Sequence, residues 1–306
     1  MRGSFAKVAR CAKSAAQFFR TMRLKIPAAV LSAVLGLAAF AHAQELISVR
    51  GAQAAAEPVA AAAASIKKDT GLEFRIVTEG GSASAVGAVG EEIADVALLS
   101  RKILPAELAY WPDRKFYETE FGRQALLIVV PEAVWKSGVR GITKSQLREI
   151  YEGKLTNWKA LGGEDRKIKF YNRDVQGSAW ELLMIFLYED VRKAPQSTAE
   201  VLVEPSDVTT AVEYNGGSIC VLEYNAQRPG TLHALGIRRD DGTVAEPTPA
   251  NIASSRYELA RPLVIATSRK PAGKVRRFVE FMLSDEGQAF VKKTGHVTNA
   301  EMVEKK

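Results

Sequence analysis

The stretch KIKFYNRDVQGSAWELLMIFLYED, residues 167–190, joins a strand pattern, a polar turn and a helix pattern. From Trp180 to Leu187, apolar residues recur at i, i+3, i+4 and i+7, the spacing of one buried helix face. Gly177 and Ser178 stand where the backbone turns from loop into helix, and the free N–H groups of a helix start attract anions. Serine is also a favoured N-cap residue. By itself, therefore, the stretch leaves an anion-binding and a capping interpretation open.

The rest of the chain alternates between strand and helix patterns in the same way. Strands are expected at 45–51, 73–79, 95–100, 124–130, 167–173, 218–224 and 261–267, and helices at 54–68 (with Pro58 in the first turn), 82–92, from Ser206 and over 272–294. Thr143 and Gln146 form a capping-box pattern at another helix start, and residues 225–256 are turn-rich. This alternation predicts an α/β fold with a largely parallel sheet covered on both faces.

The net charge of +7 is concentrated at the N-terminus. Residues 1–43 contain seven Lys or Arg and no Asp or Glu; without these seven, 35 of the 42 basic residues remain, equal in number to the acidic ones. A balanced remainder gives no electrostatic footprint for nucleic acid, so no nucleic-acid partner is expected. The basic and apolar stretch ending at Ala41 and Ala43 predicts a signal peptide over residues 1–43, cleaved before Gln44. A retained anchor is the alternative, and Met22 is an alternative start.

Signals for catalysis or metal binding are weak. His233 and His296 are single and distant in sequence, without metal-ligand spacing, and Ser178 is not set in a nucleophile elbow. Cys220 lies between apolar residues, as a buried strand cysteine does. We therefore expect no enzyme, no metal and no cofactor. An enzyme whose catalytic groups are distant in sequence remains an alternative.

Three strand-to-helix turns carry glycine and small residues, at 50–54, 79–87 and 173–179. In an α/β sheet such turns lie at the carboxyl ends of strands, where ligands bind. Small residues at three helix starts allow the backbone to approach a compact oxyanion closely.

The stretch ITKSQLREIYEGKLTNWKALGG, residues 142–163, resembles a signature of the periplasmic phosphate-binding proteins of ABC transporters. The segments 94–107, 169–180 and 257–297 are similar to further parts of that family, and the resemblance covers nearly the whole chain after the leader. It implies two α/β lobes joined by two hinge crossings, with a ligand cleft between them. The lobes are expected at 44–130 plus 257–306 and at 131–256, with hinges near Pro131 and at 258–262.

The resemblance also implies a periplasmic protein, expected to be monomeric, that carries an inorganic oxyanion, phosphate first, to an ABC transporter permease. Arg173 matches the anion-binding arginine of the family, and a guanidinium suits a tetrahedral oxyanion. Gly177 and Ser178 stand where the family has Ser and Gly, and Ala179 replaces its Thr. Ser82 or Ser84 is expected to supply a second hydroxyl.

Arg101 replaces an aspartate that accepts the phosphate proton in some members of the family, and Asp174 is the candidate substitute for that acceptor. We expect the Arg173 side chain to face a solvated cleft. A sensor or partner-docking protein with the same fold and a degenerate anion site is the alternative function.

Overall fold

The computed structural model describes residues 45–303, so the predicted signal peptide, residues 1–43, lies outside the described residues. The strands are β1 (Glu45–Gly51), β2 (Leu72–Val77), β3 (Val96–Leu99), β4 (Tyr117–Pro131), β5 (Gly141–Ile142), β6 (Lys169–Phe170), β7 (Asn172–Arg173), β8 (Val201–Leu202), β9 (Ser218–Glu223), β10 (Leu232–Arg238), β11 (Val244–Ala245) and β12 (Ala260–Thr267). The helices are α1 (Gln53–Ala61), α2 (Ala63–Thr70), α3 (Gly81–Gly90), α4 (Pro105–Leu108), α5 (Glu132–Lys136), α6 (Lys144–Tyr151), α7 (Ser178–Tyr188), α8 (Pro205–Tyr214), α9 (Pro249–Ala253), α10 (Gly273–Leu283), α11 (Asp285–Lys293) and α12 (Asn299–Val303).

A mixed sheet of ten strands runs through the described part of the chain. Its path is β11-β10-β4-β12-β3-β1-β2, with β9 on β4, β6 on β9 and β5 on β10. The long strand β4 serves both halves, because residues 117–125 pair with β12 and residues 126–131 pair with β9 and β10. β4 is antiparallel to β9, β10 and β12, and β12 is also antiparallel to β3. The expectation of a largely parallel sheet is therefore wrong. The physical reason is that β4 and β12 each pass from one half of the molecule to the other. They run in opposite directions within the same sheet, so they pair antiparallel.

Buried apolar side chains form two sets of clusters. One set takes residues from 47 to 121 and from 263 to 291, and the other takes residues from 125 to 259 together with Val297. Both β4 and β12 pass from one set of clusters to the other. They do so close to the point where Ala125 pairs with Ala260. These two cores confirm the predicted fold class, two α/β lobes joined by two extended crossings.

The expected hinge positions differ in how they fit these crossings. The segment 258–262 coincides with one crossing. Pro131 instead ends β4, paired with Leu232 inside the second half of the sheet, and so lies beyond the point where the cores change. The lobe ranges 44–130 plus 257–306 and 131–256 stay a prediction.

Local signals of the sequence are reproduced at the start of α6. Thr143 Oγ1 accepts from the N–H of Gln146 at 3.1 Å, and Gln146 Oε1 accepts from the N–H of Thr143 at 3.0 Å, which confirms the capping box. Trp158 is buried and donates from Nε1 to the Gly217 carbonyl at 2.8 Å. The stretch 142–163 therefore contributes to the set of core clusters formed by residues 125–259.

The helix expected over 54–68 is divided into α1 and α2 at Ala62. Pro58 is the sixth residue of α1, which begins at Gln53, so it lies in the helix interior and not in the first turn. Proline has no N–H, which leaves the carbonyl four residues earlier without its helical partner.

Three further expectations are corrected in detail. The strand expected over 167–173 is two short strands, because β6 pairs with β9 whereas β7 turns away to pair with β8. The helix over 272–294 is divided at Ser284, whose Oγ caps α11 by accepting from the Gly287 N–H at 3.3 Å. The turn-rich region 225–256 contains β10, which pairs with β4.

Candidate functional site

Two cavities contain most of the predicted site residues. Cavity A, of about 1030 Å³, is lined by Arg173, Asp174, Gly177 and Ser178 together with residues from α1, β9 and the end of α11. Cavity B, of about 600 Å³, is lined by Ser82 and Arg101 together with residues from α7 and β12. Ser84 is outside both linings. The structure thus brings together the four residues around 173–178 but does not bring Ser82, Ser84 or Arg101 to them.

The start of α7 forms one wall of cavity A. Gly177 is the N-cap residue, with extended backbone, and its position receives no capping hydrogen bond from a side chain of the described residues. Ser178 is the first helical residue, and its Oγ accepts from Gln124 Nε2 at 2.9 Å. The capping interpretation of Ser178 is therefore wrong. The first-turn N–H groups of a helix have no intrahelical partner, so those of Ser178 and Ala179 are donors at the cavity wall.

Arg173 is held in the interior of the protein by a carboxylate. The residue is 5% exposed, and its two Nη atoms donate to both carboxylate oxygens of Glu223 at 3.1 and 2.9 Å. They also donate to the carbonyls of Val221 and Val203, each at 3.1 Å. The expectation of a solvated Arg173 side chain is wrong, because β7 turns it inward onto β9. Only Nε is left, a buried donor without a hydrogen-bond partner among the described residues.

Asp174 stays close to the turn that precedes α7. Its carbonyl accepts from the N–H of Gly177 at 2.9 Å, and its Oδ1 accepts from the N–H of Gln176 at 3.2 Å. The side chain closes a local turn at the rim of cavity A, and this leaves one carboxylate oxygen without a hydrogen bond in the described part of the chain.

Cavity B has hydroxyl and guanidinium groups that already have partners. Ser82 Oγ lies 3.3 Å from Ser100 Oγ and accepts from the Ser100 N–H at 3.1 Å. Arg101 donates to both oxygens of Glu107, at 2.8 and 2.7 Å. This ion pair lowers the pKa of Glu107, against the opposing effect of burial. In cavity B, therefore, the Ser82 hydroxyl and the Arg101 guanidinium already have hydrogen-bond partners within the protein.

A polar wall separates the two cavities at the point where the cores change. Arg261 on β12 donates from Nε to Gln124 Oε1 at 2.8 Å and from Nη2 to Glu181 Oε2 at 2.7 Å. Gln124 in turn donates to Ser178, so β4, β12 and α7 are linked across the wall. Sequence reasoning missed Arg261 and Gln124, although each is the polar first residue of a predicted strand, 261–267 and 124–130, and this was the available signal.

Glu57 and His296 form a second group that sequence reasoning missed. Glu57 Oε2 lies 3.8 Å from His296 Nε2, and His296 Nδ1 lies 2.9 Å from Thr294 Oγ1. Burial raises the pKa of Glu57 to about 7, partly offset by the Ser178 hydroxyl. Burial, followed by the charge of Arg261, lowers the pKa of His296 to about 4. The pair is therefore neutral in mildly acidic solution, an acid beside an uncharged imidazole.

Within residues 45–303, no group of three or more His, Cys, Asp or Glu side chains is placed to hold a metal ion. None of the helices there combines the length and the apolar character that a membrane crossing needs.

Comparisons with known proteins agree with the architecture. The family model described as the PBP superfamily domain matches residues 38–286. The phosphate-binding protein PstS of Borreliella burgdorferi is 27% identical over 70% of this chain and 76% of its own length; PstS of Staphylococcus epidermidis (strain RP62A) is 30% identical over 64% and 61%.

Solved structures show the same fold at lower identity. An ABC-type phosphate transport receptor from Vibrio cholerae has a TM-score of 0.64 at 23% identity, covering 82% of this chain and 99% of the receptor. A possible phosphate binding protein from Planctomyces limnophilus has a TM-score of 0.71 at 22% identity, covering 83% and 93%. The chain therefore belongs to the PBP superfamily and has the two-lobed fold of PstS-like periplasmic binding proteins.

Proposed function

We propose that this protein captures an inorganic oxyanion, phosphate in the first place, in cavity A and delivers it to the permease of an ABC transporter. The names of its relatives support phosphate as the ligand. The observation that carries the proposal is the buried Nε of Arg173, which has no partner among residues 45–303 and belongs to a cavity-lining side chain beside the N-terminus of α7. A guanidinium N–H and first-turn backbone N–H groups are the donors that a tetrahedral oxyanion accepts.

The protein acts as a binding protein without catalysis, as a monomer, in the periplasm after cleavage of residues 1–43. Arg173, Gly177 and Ser178 make the contacts, with Asp174 at the rim. Ser82, Ser84 and Arg101 are not part of the contacts in cavity A.

Binding calorimetry on the chain from Gln44 onwards tests the proposal with phosphate, arsenate, sulfate and molybdate. The critical variant is Arg173→Lys, because lysine keeps the positive charge for Glu223 but has no Nε–H to offer. A hydrogen bond from a charged group contributes about 1.5–3 kcal/mol, so phosphate binding should weaken at least tenfold.

Arg101→Lys is the matched control, with the same substitution on the wall of cavity B. Its phosphate affinity should equal that of the wild type. If Arg101→Lys weakens binding and Arg173→Lys does not, the anion lies in cavity B and the assignment of cavity A is wrong.

One observation favours the alternative, a sensor or docking protein with a degenerate anion site. Arg101, Arg173 and Arg261 each have a carboxylate partner of their own. If the folded chain binds none of the four anions at millimolar concentration, this alternative replaces the proposal.

A further inference from the structure

Glu57 is an acidic residue in an otherwise small and apolar helix. It lies in α1, lines cavity A, and keeps 31% of its side chain exposed. The only other polar side chain of α1 is that of Gln53 at its start. A carboxyl group in such surroundings is costly to keep ionised unless a cation or several hydrogen bonds compensate for the lost water.

The groups that face Glu57 do not supply a cation of its own. Glu181 on α7 and Glu223 on β9 disfavour its charge, whereas Arg261 on β12 favours it. Arg261 is, however, bonded to Glu181, and Arg173 is bonded to Glu223. Of the three acids, Glu57 is the one that these arginines leave unpaired.

The lysines of cavity A lie at its far end. Lys292 is bonded to Glu301 at 3.1 Å, and Lys293 is exposed. Neither is within salt-bridge distance of Glu57.

His296 does not provide the missing charge either. Its ring is 2% exposed, and Nε2 has no hydrogen-bond partner among the described residues. Protonation of so buried an imidazole would place a second cation near Arg261. With a neutral ring beside it, and one hydroxyl, that of Ser178, to offset part of its burial, the Glu57 carboxyl is favoured in its protonated form.

We propose that Glu57 joins the oxyanion site as a protonated carboxylic acid whose O–H donates to the anion, so that the protein takes up a proton together with the anion. The inference rests on the proposed function, because it requires an oxyanion in cavity A. The proton comes from solvent, binds to the Glu57 carboxylate and returns to solvent when the anion leaves. No bond of the anion is made or broken.

Calorimetry of phosphate binding in two buffers of different ionisation enthalpy measures the protons taken up. Near pH 8, the wild type should take up close to one proton more than Glu57→Gln, in which the amide imitates the protonated acid. The titration of phosphate itself is common to both proteins and cancels in the difference. Above pH 7, the wild-type Kd should rise roughly tenfold per pH unit relative to that of the variant.

Glu204→Gln is the control, since Glu204 lines the same cavity but is exposed. It removes the same charge and should leave the proton count unchanged. His296→Asn keeps the Glu57 carboxyl in place and should retain the proton uptake, which distinguishes an effect of Glu57 from disturbance of the pair.

Two results would overturn the inference. Equal proton counts and parallel Kd curves for wild type and Glu57→Gln would refute the role of Glu57 and leave the phosphate function intact. Absence of phosphate binding in both proteins at every pH, with normal thermal melting, would refute the role and the function together.

Discussion

Glu57 and His296 should have opposite effects on the pH dependence of folding stability. The folded protein keeps the Glu57 proton up to about pH 7, whereas an unfolded chain loses it near 4.5. Stability therefore falls as the pH rises through this window. For His296 the unfolded chain keeps the proton up to about 6.5 and the folded protein loses it near 4, so stability rises with pH.

The two windows overlap, and the two contributions nearly cancel in the wild type. One unit of pKa shift corresponds to about 1.4 kcal/mol, so the shift of His296, whose ring is 2% exposed, amounts to roughly 3 kcal/mol. The same shift for Glu57 counts for less, roughly 2 kcal/mol, because 31% of its side chain reaches solvent and is screened.

Single substitutions should expose each contribution. As the pH rises from 4.5 to 7, the unfolding free energy of Glu57→Gln should increase by roughly 2 kcal/mol relative to that of the wild type. Only the contribution of His296, which rises with pH, then remains. As the pH rises from 4 to 6.5, the unfolding free energy of His296→Asn should decrease by roughly 3 kcal/mol relative to that of the wild type. Only the contribution of Glu57, which falls with pH, then remains. For a chain of this size these values correspond to roughly 4–12 °C in melting temperature.

Urea denaturation at pH 4, 5.5 and 7 measures these slopes. Other carboxylates with lowered pKa, such as Asp95 bonded to Lys274, contribute equally to all three proteins and cancel in the differences. If wild type and both variants give parallel stability curves, the two buried groups do not titrate as described and the reasoning fails.

Three further predictions concern cavity A. Arg173→Ala should lower the unfolding free energy by about 3–5 kcal/mol, because Glu223 is left buried without its partner; unchanged urea melting would contradict the buried ion pair. Gly295→Ala should lower stability by about 1–3 kcal/mol, because φ is +86° and a Cβ would lie 2.7 Å from Glu223 Cβ. Gly71→Ala, at φ +71° with open space around it, should show the smaller cost of backbone strain alone when both are melted in parallel. The Kd for phosphate should change less than tenfold between 50 and 500 mM KCl, because Arg173 and Arg261 are already paired with carboxylates; calorimetry at both concentrations checks this.

The fold was predictable where short-range signals determine it. The capping box at Thr143 and most strand and helix patterns depend on neighbours within a few residues, and the structure reproduces the capping box and the type of these elements, although two expected helices and one strand are divided. The direction and length of β4 were not predictable, because its pairing with β12 joins residues more than a hundred positions apart. The break between β6 and β7 has the same cause, since each strand follows a different distant partner.

The candidate site was predictable only in part. The turn at 173–178 has a local signature, so its position at a cavity wall could be expected. The partner of Arg173 is Glu223, fifty residues later, and no local pattern indicates that pairing. Glu57 could not be predicted either, because its proposed role depends on its burial and on the lack of a cationic partner among the described residues, both of which are properties of the folded chain.

The charge pairs around cavity A fit a site that selects among anions. An unpaired arginine attracts any anion, whereas Arg173 has both Nη atoms bound to Glu223 and to carbonyls, so it offers one N–H in a fixed direction. A protonated Glu57 would add a second fixed donor without adding charge. Such a site gains affinity from hydrogen bonds that match the shape of the anion, since the charges of Arg173 and Arg261 are already balanced by Glu223 and Glu181. An anion that cannot accept from both donors leaves a buried polar group unsatisfied, and this loss is the physical basis for discrimination.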